Sequence, residues 1–106
     1  MRNERTVIAI DYDYTWTTDP EFFLMIAIAW KARGHEVYIV TLRDCNDPIE
    51  DKDIILSKGI DIIYTSGEYK SVITKHNKID VDIWIDDQPQ WIIPPEQDIE
   101  LEVNYD

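Results

Sequence analysis

Short apolar runs alternate with longer segments of mixed polarity along this chain. Residues 6–10 are apolar up to Ile10 and stop at Asp11, the pattern of a strand buried on both faces. Asp19-Pro20 opens the next segment. Asp19 can accept from free helix N–H groups, and Pro20 lacks the N–H that a first helical position leaves unpaired anyway. A helix is therefore predicted to run through residues 22–33, closed by Gly34. It is apolar almost all round between Phe22 and Trp30, which predicts deep packing against a sheet. Residues 36–40 read as a second strand ending at Thr41, and Asp47-Pro48 repeats the helix-start device before a second helix that ends at Gly59. Residues 60–64 make a third strand ending at Thr65. A short helix over 70–77 precedes a fourth strand, 81–85, which ends at Asp86-Asp87. The remaining tail is rich in proline and carries Ile99, Leu101 and Val103 at strand spacing, as for a short edge strand.

Strand and helix thus alternate four times through short connections, which predicts right-handed crossovers and a parallel sheet. Polar residues stand where the strands stop: Asp11, Thr41, Thr65 and Asp86. In an open parallel sheet those carboxyl ends face the ligand crevice.

Composition narrows the picture. A length of 106 residues is one domain, spanning 1–106, and 44% hydrophobic residues exclude a disordered chain. Lys and Arg number 10 against 22 Asp and Glu, a formal charge of −12 that repels phosphate backbones and anionic lipid. The single cysteine, Cys45, makes neither an internal disulfide nor a zinc cluster. No apolar run approaches the ~20 residues of a membrane span, and no signal-peptide core follows Met1. A reducing, cytoplasmic setting with no membrane partner is expected.

The chemistry lies in the acidic residues. Asp11-Tyr12-Asp13-Tyr14-Thr15 begins where the first strand stops, and Asp86-Asp87 where the fourth stops. If those strands are neighbours, three or four carboxylates converge, and so many like charges cannot all ionise uncompensated. A divalent cation resolves this, and an all-oxygen ligand set selects Mg²⁺. Thr41 adds a hydroxyl, the turn after it adds backbone N–H groups, and Lys70 or Arg43 adds positive charge. Such a set suits phosphoryl transfer, with one aspartate as nucleophile and a second as acid and base.

On these residues the chain resembles the haloacid dehalogenase-like superfamily, whose signature is DxDx(T/V) after the first strand. A Ser or Thr follows the second strand in that family, a Lys precedes the fourth, and an acidic pair ends it. The resemblance spans nearly the whole chain. It implies a three-layer α/β sandwich around a small, mostly parallel, Rossmann-like sheet of order 4-1-2-3. It further implies that Asp11 is the nucleophile and a Mg²⁺ ligand. Asp13 lends its backbone carbonyl to the metal and its side chain as acid, then base. Thr41 hydrogen-bonds the phosphoryl group, Lys70 neutralises it, Asp86 binds Mg²⁺, and Asp87 orients the ligands. Lys75 competes with Lys70 for the lysine role. Lys70 is preferred because it opens its helix after the Ser66-Gly67 loop. Neither gap where the family inserts a cap, after the first motif or after the third strand, holds a domain. A capless member with an open site is expected.

Each of these residues has a blander reading. An Asp at a strand end is commonly a turn former, and a Thr there suits the strand itself. Two acidic motifs at two strand ends outweigh that reading together. Thr15, Arg43 and Trp16 are weaker candidates for substrate contact, and Arg43 reads better as an ion-pairing residue. Trp16 and Trp91 are placed to rim the crevice and stack on a ring, whereas Trp30 and Trp84 read as core. A response-regulator receiver domain is the nearest structural competitor, but it needs an Asp after the third strand, where Tyr64-Thr65 stands. The expected activity is Mg²⁺-dependent hydrolysis of a small phosphomonoester such as a nucleotide. A non-catalytic module binding a protein partner is the alternative from another class. The stretch from Lys70 to Asp87 also resembles the phosphatase half of polynucleotide kinase-phosphatases; the charge of −12 weighs against that substrate.

Overall fold

The computed structural model describes residues 5–95. Four strands, β1 (Val7–Ile10), β2 (Glu36–Thr41), β3 (Asp61–Tyr64) and β4 (Ile83–Ile85), form one parallel sheet in the order β3-β2-β1-β4. Three helices connect them: α1 (Pro20–Ala32), α2 (Lys52–Ser57) and α3 (Lys70–His76). The register sets Ile10 beside both Ile39 and Ile85, so the carboxyl ends of the central strands finish level. The expected strand order 4-1-2-3 is therefore the observed one. The proposed edge strand at Ile99, Leu101 and Val103 lies outside the described residues.

Side chains alternate across each strand, which divides the buried residues between two faces. Ile8, Ile10, Val37 and Ile39 pack on one face with Phe23, Leu24, Ala27 and Trp30 of α1 and Ile55 of α2. Ala9 and Val40, both fully buried, point to the other face, as does Trp84, which lies beside Ala9 across the ladder. There α3 contributes the small buried side chains Ser71 and Thr74, beside the buried Lys70 at its start, which suits close approach of the helix. Helices on both faces give the layered α/β arrangement. None of the described helices is long and apolar enough to cross a membrane.

The start of α1 follows its sequence signals. Pro20 occupies the first turn, Asp19 accepts from the Phe22 N–H, and Gly34 leaves the helix at φ +92°. Its burial departs from expectation. Ala27 alone is fully buried, while Phe22, Met25 and Ile28 are exposed. The helix has the sheet beneath it and no other described element above it, so only the stripe through Phe23, Ala27 and Trp30 is covered. Trp84, expected in the core, is half-buried.

Contrary to expectation, Asp47-Pro48 does not begin a helix. α2 starts at Lys52. The Pro48 carbonyl, which a helix would use as an acceptor, instead receives the Arg43 Nη1 donor at 3.1 Å, and the Ile49 N–H is taken by the Tyr64 hydroxyl at 3.3 Å. Side chains from outside the segment, Arg43 five residues before Pro48 and Tyr64 on β3, thus hold its backbone in a different path. The predicted end of this helix is correct: Gly59, at φ +78°, follows its last turn.

Candidate functional site

Asp11 continues β1 by one more bond, its N–H donating to the Ile85 carbonyl at 2.9 Å. β1 and β4 are therefore locked together where their acidic motifs begin. Lys70 is the first residue of α3, and the preceding loop turns tightly through Ser66 and Gly67 at φ +54° and +84°. That turn brings the Lys70 ammonium back over the sheet edge, 2.7 Å from Asp11 Oδ1 and 2.6 Å from Asp86 Oδ2. The lysine side chain is 2% exposed. Lys75 lies exposed on α3, so Lys70 is the lysine that faces the carboxylates.

The remaining hydrogen bonds fix the acids. Asp86 Oδ1 accepts from the Gln88 N–H at 2.9 Å. Thr15 Oγ1 lies 3.1 Å from Asp11 Oδ2 and 3.3 Å from Asp87 Oδ1; its single proton serves one of them at a time. Burial pushes the Asp11 carboxyl up to about 6, with Lys70 opposing the shift and Asp87 and Asp86 adding to it. Oxygens of Asp11, Asp86 and Asp87 lie within 4.8 Å of one another. Three carboxylates facing one ammonium leave two negative charges in excess, and every donor is a hard oxygen. That donor set fits a divalent cation such as Mg²⁺ better than zinc or copper.

Asp13 is held differently. Arg43 Nε and Nη2 reach its two oxygens at 2.9 and 2.7 Å, a bidentate pair. Arg43 is itself anchored on Glu50 and on the Pro48 carbonyl, and lies 5.4 Å from the centre of the Tyr12 ring. These anions push the guanidinium further into permanent charge, Asp13 contributing most. Arg43 is thus an ion-pairing residue that orients Asp13.

A cavity of about 160 Å³ opens over this cluster, lined by Asp11, Asp13, Thr41, Lys70, Asp86 and Asp87 together with Tyr14, Leu42, Gln88 and Trp91. Thr41 is 1% exposed, and its Oγ1 accepts from the Arg43 N–H at 3.3 Å, so its proton remains available to a ligand. Three sequence candidates for substrate contact, Thr15, Arg43 and Trp16, do not line the cavity. The hydroxyl of Thr15 and the guanidinium of Arg43 are spent on aspartates. Trp16 is 1% exposed and stacks on Phe23 at 6.0 Å between centroids, because the chain folds back under β1 through bonds from the Trp16 and Thr17 N–H groups to the Asp11 and Tyr12 carbonyls. That ring belongs to the core. Trp16→Ala should destabilise the domain by about 3–5 kcal/mol in chemical denaturation, where a rim residue would change it little. Trp91 does line the cavity.

The residue that sequence reasoning passed over is Tyr14, which shares the rim with Trp91. A bulky aromatic inside a tight post-strand turn was the available signal. His35 and Cys45 lie away from the cavity; His35 Nδ1 accepts from the Thr6 N–H at 3.0 Å, and Cys45 is exposed. Comparison of the chain with protein-family models, with curated proteins and with solved structures finds no match.

Proposed function

We propose that this chain is a Mg²⁺-dependent phosphatase that hydrolyses small phosphomonoesters through an aspartyl phosphate on Asp11, in the manner of the haloacid dehalogenase-like proteins it resembles. The observation that carries the reading is Lys70, buried at the start of α3 and bonded to both Asp11 and Asp86. Charge alone draws an ammonium to Asp11 and Asp86, but burying a lysine costs desolvation that an exposed lysine avoids. A lysine that neutralises a phosphoryl group beside a metal has a reason to be buried all the same.

The residues divide the work as follows. An Asp11 oxygen attacks phosphorus while the bond to the leaving oxygen breaks, and Asp13 delivers the proton that oxygen needs. Thr41 and Lys70 hold the phosphoryl oxygens and offset the charge that develops on them. In the second step Asp13 takes a proton from water, the water oxygen bonds to phosphorus, and the Asp11–phosphorus bond breaks to release orthophosphate. Bidentate pairing with Arg43 fixes the Asp13 carboxylate and leaves an outer lone pair on each of its oxygens for the travelling proton. Asp11, Asp86 and the Asp13 backbone carbonyl would hold Mg²⁺, with Asp87 beside them; the ion supplies charge neutralisation and orientation when bound.

Purified protein with Mg²⁺ should release phosphate from p-nitrophenyl phosphate or another member of a phosphomonoester panel, and EDTA should abolish the release without unfolding the chain. Beryllium fluoride with Mg²⁺ should raise the melting temperature by standing in for a phosphoryl group on Asp11. No release across the panel together with no thermal shift would sink the reading.

A further inference from the structure

Tyr14 occupies a backbone conformation that its side chain disfavours. Its φ is +63°, in the left-handed region where glycine is at ease and a bulky residue is strained. The strain obtains no packing in return, since Tyr14 is 76% exposed. The backbone itself is well held: the Tyr14 N–H donates to Thr17 Oγ1 at 3.0 Å, and the Thr15 N–H returns to the Tyr12 carbonyl. A turn kept in place by its own hydrogen bonds, with a large ring set out into solvent beside Asp13, is strain held at a site rather than strain relieved by a core.

Trp91 stands on the same rim and is held as firmly. It ends the short 3₁₀ turn Pro89–Trp91, and its ring leans on Tyr69 at 5.5 Å between centroids. The next residue, Ile92, is buried, and its carbonyl accepts from the Ser71 N–H at 2.8 Å, which ties the segment to α3. Trp91 nevertheless remains 37% exposed.

Size decides what the two rings face. The cavity between them is about 160 Å³, well under the ~300–1,000 Å³ of pockets that engulf a drug-sized ligand. A phosphoryl group fits against Lys70 and Thr41, and whatever the ester carries must lie outside, across the rim. There it meets Tyr14 and Trp91. Resting on the phosphatase reading for the phosphoryl end, we propose that Tyr14 and Trp91 form a binding site for a planar aromatic ring carried by the phosphomonoester. The shared chemistry is a flat π-face within reach of the phosphate, as in a nucleoside monophosphate or an aryl phosphate. The acidic groups around it, Asp13 and Asp87, disfavour a polyanion, so the ligand is a single monoester and not a strand.

The test is calorimetric titration of the Asp11→Asn chain, which can bind without turning over, in the presence of Mg²⁺. The three probes are adenosine 5′-monophosphate, phenyl phosphate and ribose 5-phosphate. At least one ring-bearing ester should bind about tenfold or more tightly than ribose 5-phosphate. Preference for the nucleotide identifies a base held at a sugar's distance, and preference for phenyl phosphate a ring directly on the ester oxygen. Adding Tyr14→Gly or Trp91→Leu should collapse the preference to within about twofold. Tyr14→Gly should also raise the melting temperature of the otherwise unchanged chain, because glycine relieves the backbone. Equal affinity for all three probes, or a preference that survives both substitutions, would overturn the proposal, as would a fall in melting temperature for Tyr14→Gly. Ring preference without any hydrolysis by the unsubstituted chain would refute the phosphatase and leave the ring site standing.

Discussion

Asp11→Asn is expected to lower kcat for every phosphate ester by at least about a thousandfold, since an amide cannot form the aspartyl phosphate. The fold should survive the change. The substituted amide would keep a carbonyl oxygen for Lys70 or Thr15, and Lys70 would retain its bond to Asp86 at 2.6 Å. Melting temperature and far-ultraviolet circular dichroism should therefore stay close to those of the parent while phosphate release disappears. This combination separates a nucleophile from a structural carboxylate. Turnover within tenfold of the parent would remove Asp11 from the chemistry and favour a non-catalytic module.

Lys70→Met is expected to lower both stability and activity. The substitution keeps most of the length of the side chain and removes its charge. Asp11 and Asp86 would then face each other across a buried site with no cation between them. Breaking a buried ion pair from one side costs about 3–5 kcal/mol, and in a domain of this size that is a fall in melting temperature of more than about 10 °C. Millimolar Mg²⁺ should restore part of the loss, because a divalent ion neutralises the same carboxylates. Activity should not return with it, since the phosphoryl group still lacks its lysine. Lys75→Ala provides the contrast: the side chain is exposed on α3, and its removal should change stability by no more than about 0.5 kcal/mol. A crippled Lys75→Ala beside an active Lys70→Met would reverse the assignment.

Much of the framework was legible because it depends on local pattern. Short apolar runs bounded by polar residues located all four strands to within two residues at their starts, and Asp19-Pro20 and Gly34 bracketed α1 because capping is settled within one turn. The alternation of strands and helices predicted a parallel sheet but left the adjacency of the first and fourth strands as a condition; the pairing of Asp11 with Asp86 came from the strand order that the family resemblance implies. What escaped was decided by side-chain partners that hydropathy patterns do not show or by backbone angles. Asp47-Pro48 carries the same signal as Asp19-Pro20, yet Arg43 takes the Pro48 carbonyl and the helix begins later. The apolar outer stripe of α1 looked like core because hydropathy does not say how many sides of a helix are covered. Trp16 was the rim candidate on position alone, and Tyr14, two residues before it, was not considered. A positive φ at Tyr14 sends one ring outward and lets the chain fold back to bury the other.

The bond from the Asp11 N–H to the Ile85 carbonyl also sets an order of assembly. Asp11 follows β1 and Asp86 follows β4, with Val7 and Asp82 bonded across a separation of 75 residues. As the chain leaves the ribosome, β1, α1 and β2 can pair through contacts close in sequence, while the other side of β1 waits. β4 closes that side and delivers Asp86 in the same motion. A nascent or clipped chain that ends before Ile83 would therefore hold much of the hydrophobic core while its acidic cluster lacked Asp86 and Asp87, and the site matures only once β4 has been made.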